Sequence, residues 1–178
     1  LLVDPHPAVR LQVALRLVQI WEIDRAGFWC RVETFVSRET NKAVLAHFVG
    51  GVLSRVLYHS PEEVERIAIG LLEKGLEQKE KVDEKLYEQL ASILAILWAI
   101  QGRAVAGEQI IHWIEDLPNN FSEVQRTLYA LRGALSFGLD GTSKVDAAEV
   151  RSRARKVFAH AIKYANARLD PFIRGEPS

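Results

Sequence analysis

His112-Trp113-Ile114-Glu115-Asp116 places an imidazole within one helical turn of two carboxylates. Such a trio could exchange protons as general acid and base if a groove held it away from bulk water. The same five residues also read as the end of an amphipathic helix, with the acids in water and Trp113 turned inward, and that second reading is the expected one. Elsewhere the chemistry is sparse. No phosphate-binding G-x-x-x-x-G-K-[ST], dinucleotide G-x-G-x-x-G, zinc-binding H-E-x-x-H or nucleophile-elbow G-x-S-x-G occurs. The five histidines, His6, His47, His59, His112 and His160, lie in different segments, and none stands at metal-ligand spacing from another histidine or from cysteine. The expectation is therefore a protein without catalytic residues, metal or cofactor.

Charge supplies the next candidates. Lys+Arg and Asp+Glu both number 23, so no global field draws the chain to nucleic acid or anionic lipid. Local biases exist nonetheless. From 144 to 168 there are seven bases (Lys144, Arg151, Arg153, Arg155, Lys156, Lys163, Arg168) and two acids (Asp146, Glu149). Arg153, Lys156, His160 and Lys163 share one helical face, opposite Val157, Ala161 and Ala165, and such a stripe can contact phosphates. A solvated amphipathic face explains it as simply. The stretch 62–88 leans the other way, with nine acids against five bases, and opposite biases at two places can orient a charged partner. Tyr87-Glu88 and Glu123 read as solvated helix faces.

The single cysteine, Cys30, excludes an internal disulfide and fits a reducing, cytoplasmic setting. Within Gly27-Phe28-Trp29-Cys30-Arg31-Val32 it reads as a small buried hydrophobe. Trp21, Trp29, Trp98 and Trp113 all sit in apolar helical patterns and are expected in the core. The longest apolar run, 91–100, is far shorter than the roughly 18 residues of a membrane span. The chain starts at Leu1 and contains no methionine; Leu1-Leu2-Val3 reads as the end of an earlier element, as in a piece of a longer protein.

The elements that carry these residues are helices. Apolar positions recur at helical spacing in long segments: Val9, Val13, Leu17 and Ile20; Val44, Phe48, Val52, Leu53 and Val56; Val82, Leu86, Leu90, Ile93, Leu94 and Leu97; Val124, Leu128, Leu131 and Leu135. Each is followed by a second helix, predicted over 25–38, 61–75, 103–115 and 144–169. Ser60-Pro61-Glu62-Glu63 is a helix start, and Asp116-Leu117-Pro118-Asn119-Asn120 closes one pair before Ser122 can cap the next. Gln78-Lys79-Glu80-Lys81 reads as a solvated loop or helix start. Gly138-Leu139-Asp140-Gly141-Thr142-Ser143 reads as a turn, Asp170-Pro171 as the end of the last helix, and 171–178 as a tail. Gly50-Gly51 permits either a kink or close helix–helix approach, and close approach is favoured. No segment alternates like a strand. The expected architecture is all-α: about four antiparallel helix pairs in a row, one domain over 1–170.

First helices follow one another at steps of about 35 to 42 residues, near the ~40–47 of HEAT and armadillo units. The opening Asp4-Pro5-His6-Pro7-Ala8-Val9-Arg10, with Ala14 as the small residue one turn on, resembles the start of a HEAT repeat. In that family an acid near the turn, a proline and an arginine recur along the stack, and Asp4, Pro5, Pro7, Val9 and Arg10 occupy similar places. Tetratricopeptide-like pairs are the alternative, although their ~34-residue period fits less well. The resemblance implies an α-solenoid in which acid and arginine pair structurally between adjacent repeats.

It also implies a non-catalytic scaffold that binds a protein partner, or another domain of the same chain, along the concave line of second helices. The polar residues expected there are Arg31, Arg38, Glu65, Arg66, Glu108, His112, Arg151 and Arg155. Helical arms of large STAND-like NTPases are similar in kind. Two alternatives stand beside this: a nucleic-acid-binding protein similar to helical-repeat DNA glycosylases, using Arg153, Lys156, His160 and Lys163, or a structural spacer within a longer solenoid. No membrane partner is expected.

Overall fold

The computed structural model describes residues 4–77, 84–136 and 145–173. The expected start 1–3, the loop at 78–81 together with Val82, the turn 138–143 and the tail from 174 lie outside them. Every regular element among the described residues is helical, and no helix there is long and apolar enough to cross a membrane. The chain forms two compact units, Leu1–Ile93 and Leu94–Ser178.

The first unit begins with α1 (Pro7–Arg16), α2 (Val18–Trp21) and α3 (Arg25–Arg38). Side-chain caps set the starts of α1 and α3. His6 Nδ1 accepts from Ala8 N with Pro7 in the first turn, and Asp24 Oδ1 accepts from Gly27 N at 2.8 Å. Next come α4 (Lys42–Phe48), capped by Asn41 Oδ1 on Val44 N, a π-helical turn at Val49–Leu53, α5 (Ser54–Val56) and α6 (Pro61–Glu77). The unit ends within α7 (Glu84–Ala99). α1 packs on α4, α2 on α3, and α3 on α6. Gly51 lies where a Cβ would come 2.8 Å from Leu15 Cδ2, so the glycine pair serves both a change of helix type and close approach.

The buried face of the first helix differs from the expected one. Ala14, Leu17 and Trp21 are buried, whereas Val9 is 37% exposed. The reason is polar. Arg10 must point at a carboxylate on the inner side, and that rotates Val9 outward. Its partner is Glu39, not Asp4: Arg10 Nε donates to Glu39 Oε2 at 2.7 Å and Nη2 to Oε1 at 3.0 Å. The remaining guanidinium donor, Nη1, reaches the carbonyls of Asp4 and Pro5. Glu39 Oε1 also accepts from Thr40 N and Asn41 N at the head of α4. At the same junction Lys74 Nζ, from α6, donates to the carbonyls of Val36, Ser37 and Glu39 and so closes the end of α3.

Other side chains also depart from expectation. Cys30 is exposed and not a core residue, because the inward line of α3 runs through Phe28, Val32 and Phe35. Trp29 is half-buried, its edge against Trp21 and Phe28. Tyr87 is buried, not solvated.

The second unit contains the end of α7, then α8 (Ala104–Glu115), α9 (Phe121–Arg132), a 3-10 turn (Gly133–Ser136) and α10 (Ala147–Ile173). α7 closes at Gly102, whose φ of 68° turns the chain so that Gly102 N and Arg103 N donate to Trp98 O and Leu97 O. α10 packs on α8, α9 and the 3-10 turn. Its buried line is Val150, Ala154 and Val157, and Ile162 is 60% exposed. Val105 is likewise exposed, since α8 turns Ala106, Ile110, Trp113 and Ile114 inward. Glu123 is buried and so is not a solvated face. α10 also continues past Asp170-Pro171, where the sequence led us to expect its end.

Burial pushes the Glu39 carboxyl up, but the hydrogen bonds from Arg10, Asn41 and Thr40 and the charge of Arg10 outweigh it and hold the group below its ordinary value. A depressed folded-state value stabilises fully above the unfolded glutamate pKa of about 4.3 and is lost as pH falls through the folded one. Glu39→Gln is expected to lower unfolding free energy by about 2 kcal/mol at neutral pH and to flatten this acid step. Urea titrations of both proteins from pH about 6 to about 3 check it; parallel curves would contradict the role given to Glu39. Cys30, being exposed, should react with a thiol reagent in the native protein without unfolding; protection until unfolding would contradict its placement.

Candidate functional site

α8 and α10 lie side by side in the second unit and leave a cleft of about 410 Å³ between them. Its lining is Trp98 from the end of α7, Ala104, Gly107, Glu108, Ile111, His112 and Glu115 from α8, and Lys156 and Val157 from α10. The α8 side chains follow from helical geometry, since 104, 108, 111, 112 and 115 recur on one face. The cleft exists because its small residues leave room for a large one. At Gly107 a Cβ would stand 2.5 Å from Trp98 Cε3, so only glycine lets the indole lie against α8.

Hydrogen bonds join α10 to its neighbours at both ends of the cleft. Trp98 Nε1 donates to Arg153 O at 3.4 Å, and Arg153 Nη1 returns a bond to Ala99 O at 3.2 Å. Arg153 also pairs with Glu149 one turn earlier on α10. At the far end Tyr164 OH donates to Glu115 O at 2.5 Å, and His160 Nε2 is 3.6 Å from Glu115 Oε1. These contacts fix α10 along α8 from Arg153 to Tyr164.

The charges around the apolar floor are arranged by helix. Glu108 and Glu115 stand on α8, and Lys156 stands on α10. Among the described residues, the side chains of Glu108, His112 and Lys156 have no hydrogen-bond or ion-pair partner. A helix-borne acid pair thus faces a base across an indole, an isoleucine and a valine.

The expected contact residues are distributed unevenly. Glu108 and His112 line the cleft; Arg155 is exposed on α10 and Arg151 is half-buried there. In the first unit, Arg31 folds back on Gly27 O, Arg38 is exposed, and Arg66 pairs with Glu33 at 2.5 Å. Glu65, expected at the contact surface, is instead only 5% exposed, because Val64 and Ala68 beside it turn that part of α6 inward. Of the basic stripe expected as the nucleic-acid alternative, Arg153 is committed to Ala99 and Glu149, while Lys156 and Lys163 are exposed and His160 faces Glu115.

His112, Glu115 and Asp116 do not form one catalytic group. His112 and Glu115 face the cleft, whereas Asp116 accepts from the Asn119 and Asn120 side chains in the turn before α9. Trp98, Gly107, Ile111 and Val157 went unnoticed in the sequence as site residues. The available signal was Gly107, a glycine inside a helix nine residues after a tryptophan. Among the described residues no group of histidine, cysteine, aspartate and glutamate is placed to hold a metal ion.

No protein-family model, curated protein or solved structure matches the chain.

Gly107→Ala is expected to push Trp98 off α8 and cost about 2 kcal/mol of stability, as overpacking does. Thermal unfolding together with Trp98 fluorescence checks this; an unshifted Tm with unchanged emission would contradict the close contact.

Proposed function

We propose that the chain is a run of HEAT-like helix pairs, part of an α-solenoid, whose work is to hold a protein partner without chemistry. Support for the repeat comes from two local geometries that match. Asp4 accepts from the amide two residues on, His6 caps, and α1 begins at Pro7. Glu39 likewise accepts from the amide two residues on, Asn41 caps, and α4 begins at Lys42. The packing of α1 on α4 and of α3 on α6 is the first-on-first, second-on-second contact that stacked pairs require.

The observation that carries the interaction reading is the α8–α10 cleft, an apolar floor whose bordering Glu108, His112 and Lys156 have no partner among the described residues. Charged side chains left unpaired beside apolar surface are what a partner's complementary groups can use for register. The nucleic-acid reading keeps Lys156 and Lys163 but loses Arg153 to internal bonds. The partner class is thus a polypeptide, either another protein or another domain of the parent chain.

A photo-crosslinking residue at Glu108 or Arg155, with Arg31 as control, tests this in extract of the source cells. Polypeptide adducts are expected at 108 and 155 and not at 31. Their absence, or binding of a labelled DNA or RNA oligonucleotide that weakens steeply with salt, would replace this reading.

A further inference from the structure

The α8–α10 cleft has a charge pattern more specific than a protein contact needs. Carboxylates belong to one wall and an ammonium to the other, over a floor of Trp98, Ile111 and Val157. A ligand carrying a single charge satisfies one wall and leaves it facing like charge on the other. A purely apolar ligand engages the floor and makes no use of either charged wall. Two opposite charges on one small molecule satisfy both walls at once.

The geometry points to a free amino acid with an apolar or aromatic side chain as the ligand: its ammonium faces Glu108, its carboxylate faces Lys156, and its side chain lies against Trp98. The cleft volume of about 410 Å³ is at the lower end of small-molecule sites, the size for one side chain and its head group. Rigid placement favours such a site, because Trp98 is fixed by Gly107 and by the Arg153 carbonyl before any ligand arrives. The absence of an internal partner on Glu108 or Lys156 means neither must break an ion pair to bind. This goes beyond the scaffold reading and gives the arm a second, small-molecule input.

The full chain labelled with nitrogen-15 reports binding through the Trp98 indole NH, assigned by its loss in Trp98→Phe. Titrants are L-phenylalanine, phenethylamine (no carboxylate), 3-phenylpropionate (no ammonium) and N-acetylphenylalaninamide (neither charge). Phenylalanine is expected to shift the Trp98 signal, with phenethylamine and 3-phenylpropionate weaker by about tenfold, the equivalent of one lost charge contact, and N-acetylphenylalaninamide weaker by about a hundredfold, the equivalent of two. Lys156→Glu, an exposed position whose folding circular dichroism verifies, is expected to weaken phenylalanine and strengthen phenethylamine. No Trp98 shift with phenylalanine at about 10 mM overturns the proposal. Equal binding of N-acetylphenylalaninamide also overturns it, and would assign the cleft to a side chain of a bound polypeptide. That outcome leaves the scaffold reading standing, whereas the loss of crosslinked partners leaves this one standing.

Discussion

One buried carboxylate organises the first unit. Glu39 sits between three helices' worth of polar groups: it takes two donors from Arg10 on α1, gives the head of α4 its first acceptor, and offers its own carbonyl to Lys74 on α6. An ionised group this buried is tolerable only when its oxygens find donors, and here they come from a guanidinium and two amides. The consequence is geometric. With Arg10 committed inward, α1 has no rotational choice and turns Ala14 inside, and the buried line continues through Leu17 and through Trp21 of α2. The aromatic cluster of Trp21, Phe28 and Trp29 then forms where α2 meets α3.

Helices were legible in the sequence because apolar spacing is a property of local order. The long segments at 44–56 and 86–97 put their predicted residues inside, from Val44 to Val56 and from Leu86 to Leu97. What periodicity alone could not resolve was phase wherever a polar anchor competed. Val9 and Ile162 satisfy the apolar pattern yet point outward, since Arg10 in one case and the short Val150–Ala154–Val157 line in the other decide the inner face. Cys30 failed for a related reason: its neighbours Phe28 and Val32 are inside, and a helix places the residue between them on the opposite side. Glu39 was missed because aspartate and proline precede α1 where glutamate and threonine precede α4, so the likeness lies in hydrogen bonds and not in letters.

The cleft was partly legible. Glu108 and His112 were candidates from their place on a second helix, and Lys156 from the basic stripe, but as members of separate proposals. Their convergence depends on α10 lying along α8, a contact between residues some 45 apart in sequence that no short-range signal encodes. Arg153 shows the reverse. Its charge marked it for a ligand, but its position beside the closing turn of α7 gives it to Ala99.

The π-helical turn at Val49–Leu53 has a consequence for how long a straight rod can stay faithful to one side of a core. Val44, Phe48, Val52 and Val56 are all buried, and each lies four residues after the last. In an ideal α-helix every such step overshoots a full revolution by about 40°, so the fourth member would have swung a third of the way round the cylinder. One wider loop of backbone takes up that drift and brings the later residues back under the same neighbours. The glycine pair within it is thus a vernier, resetting angular position midway along the segment at the cost of a locally looser coil.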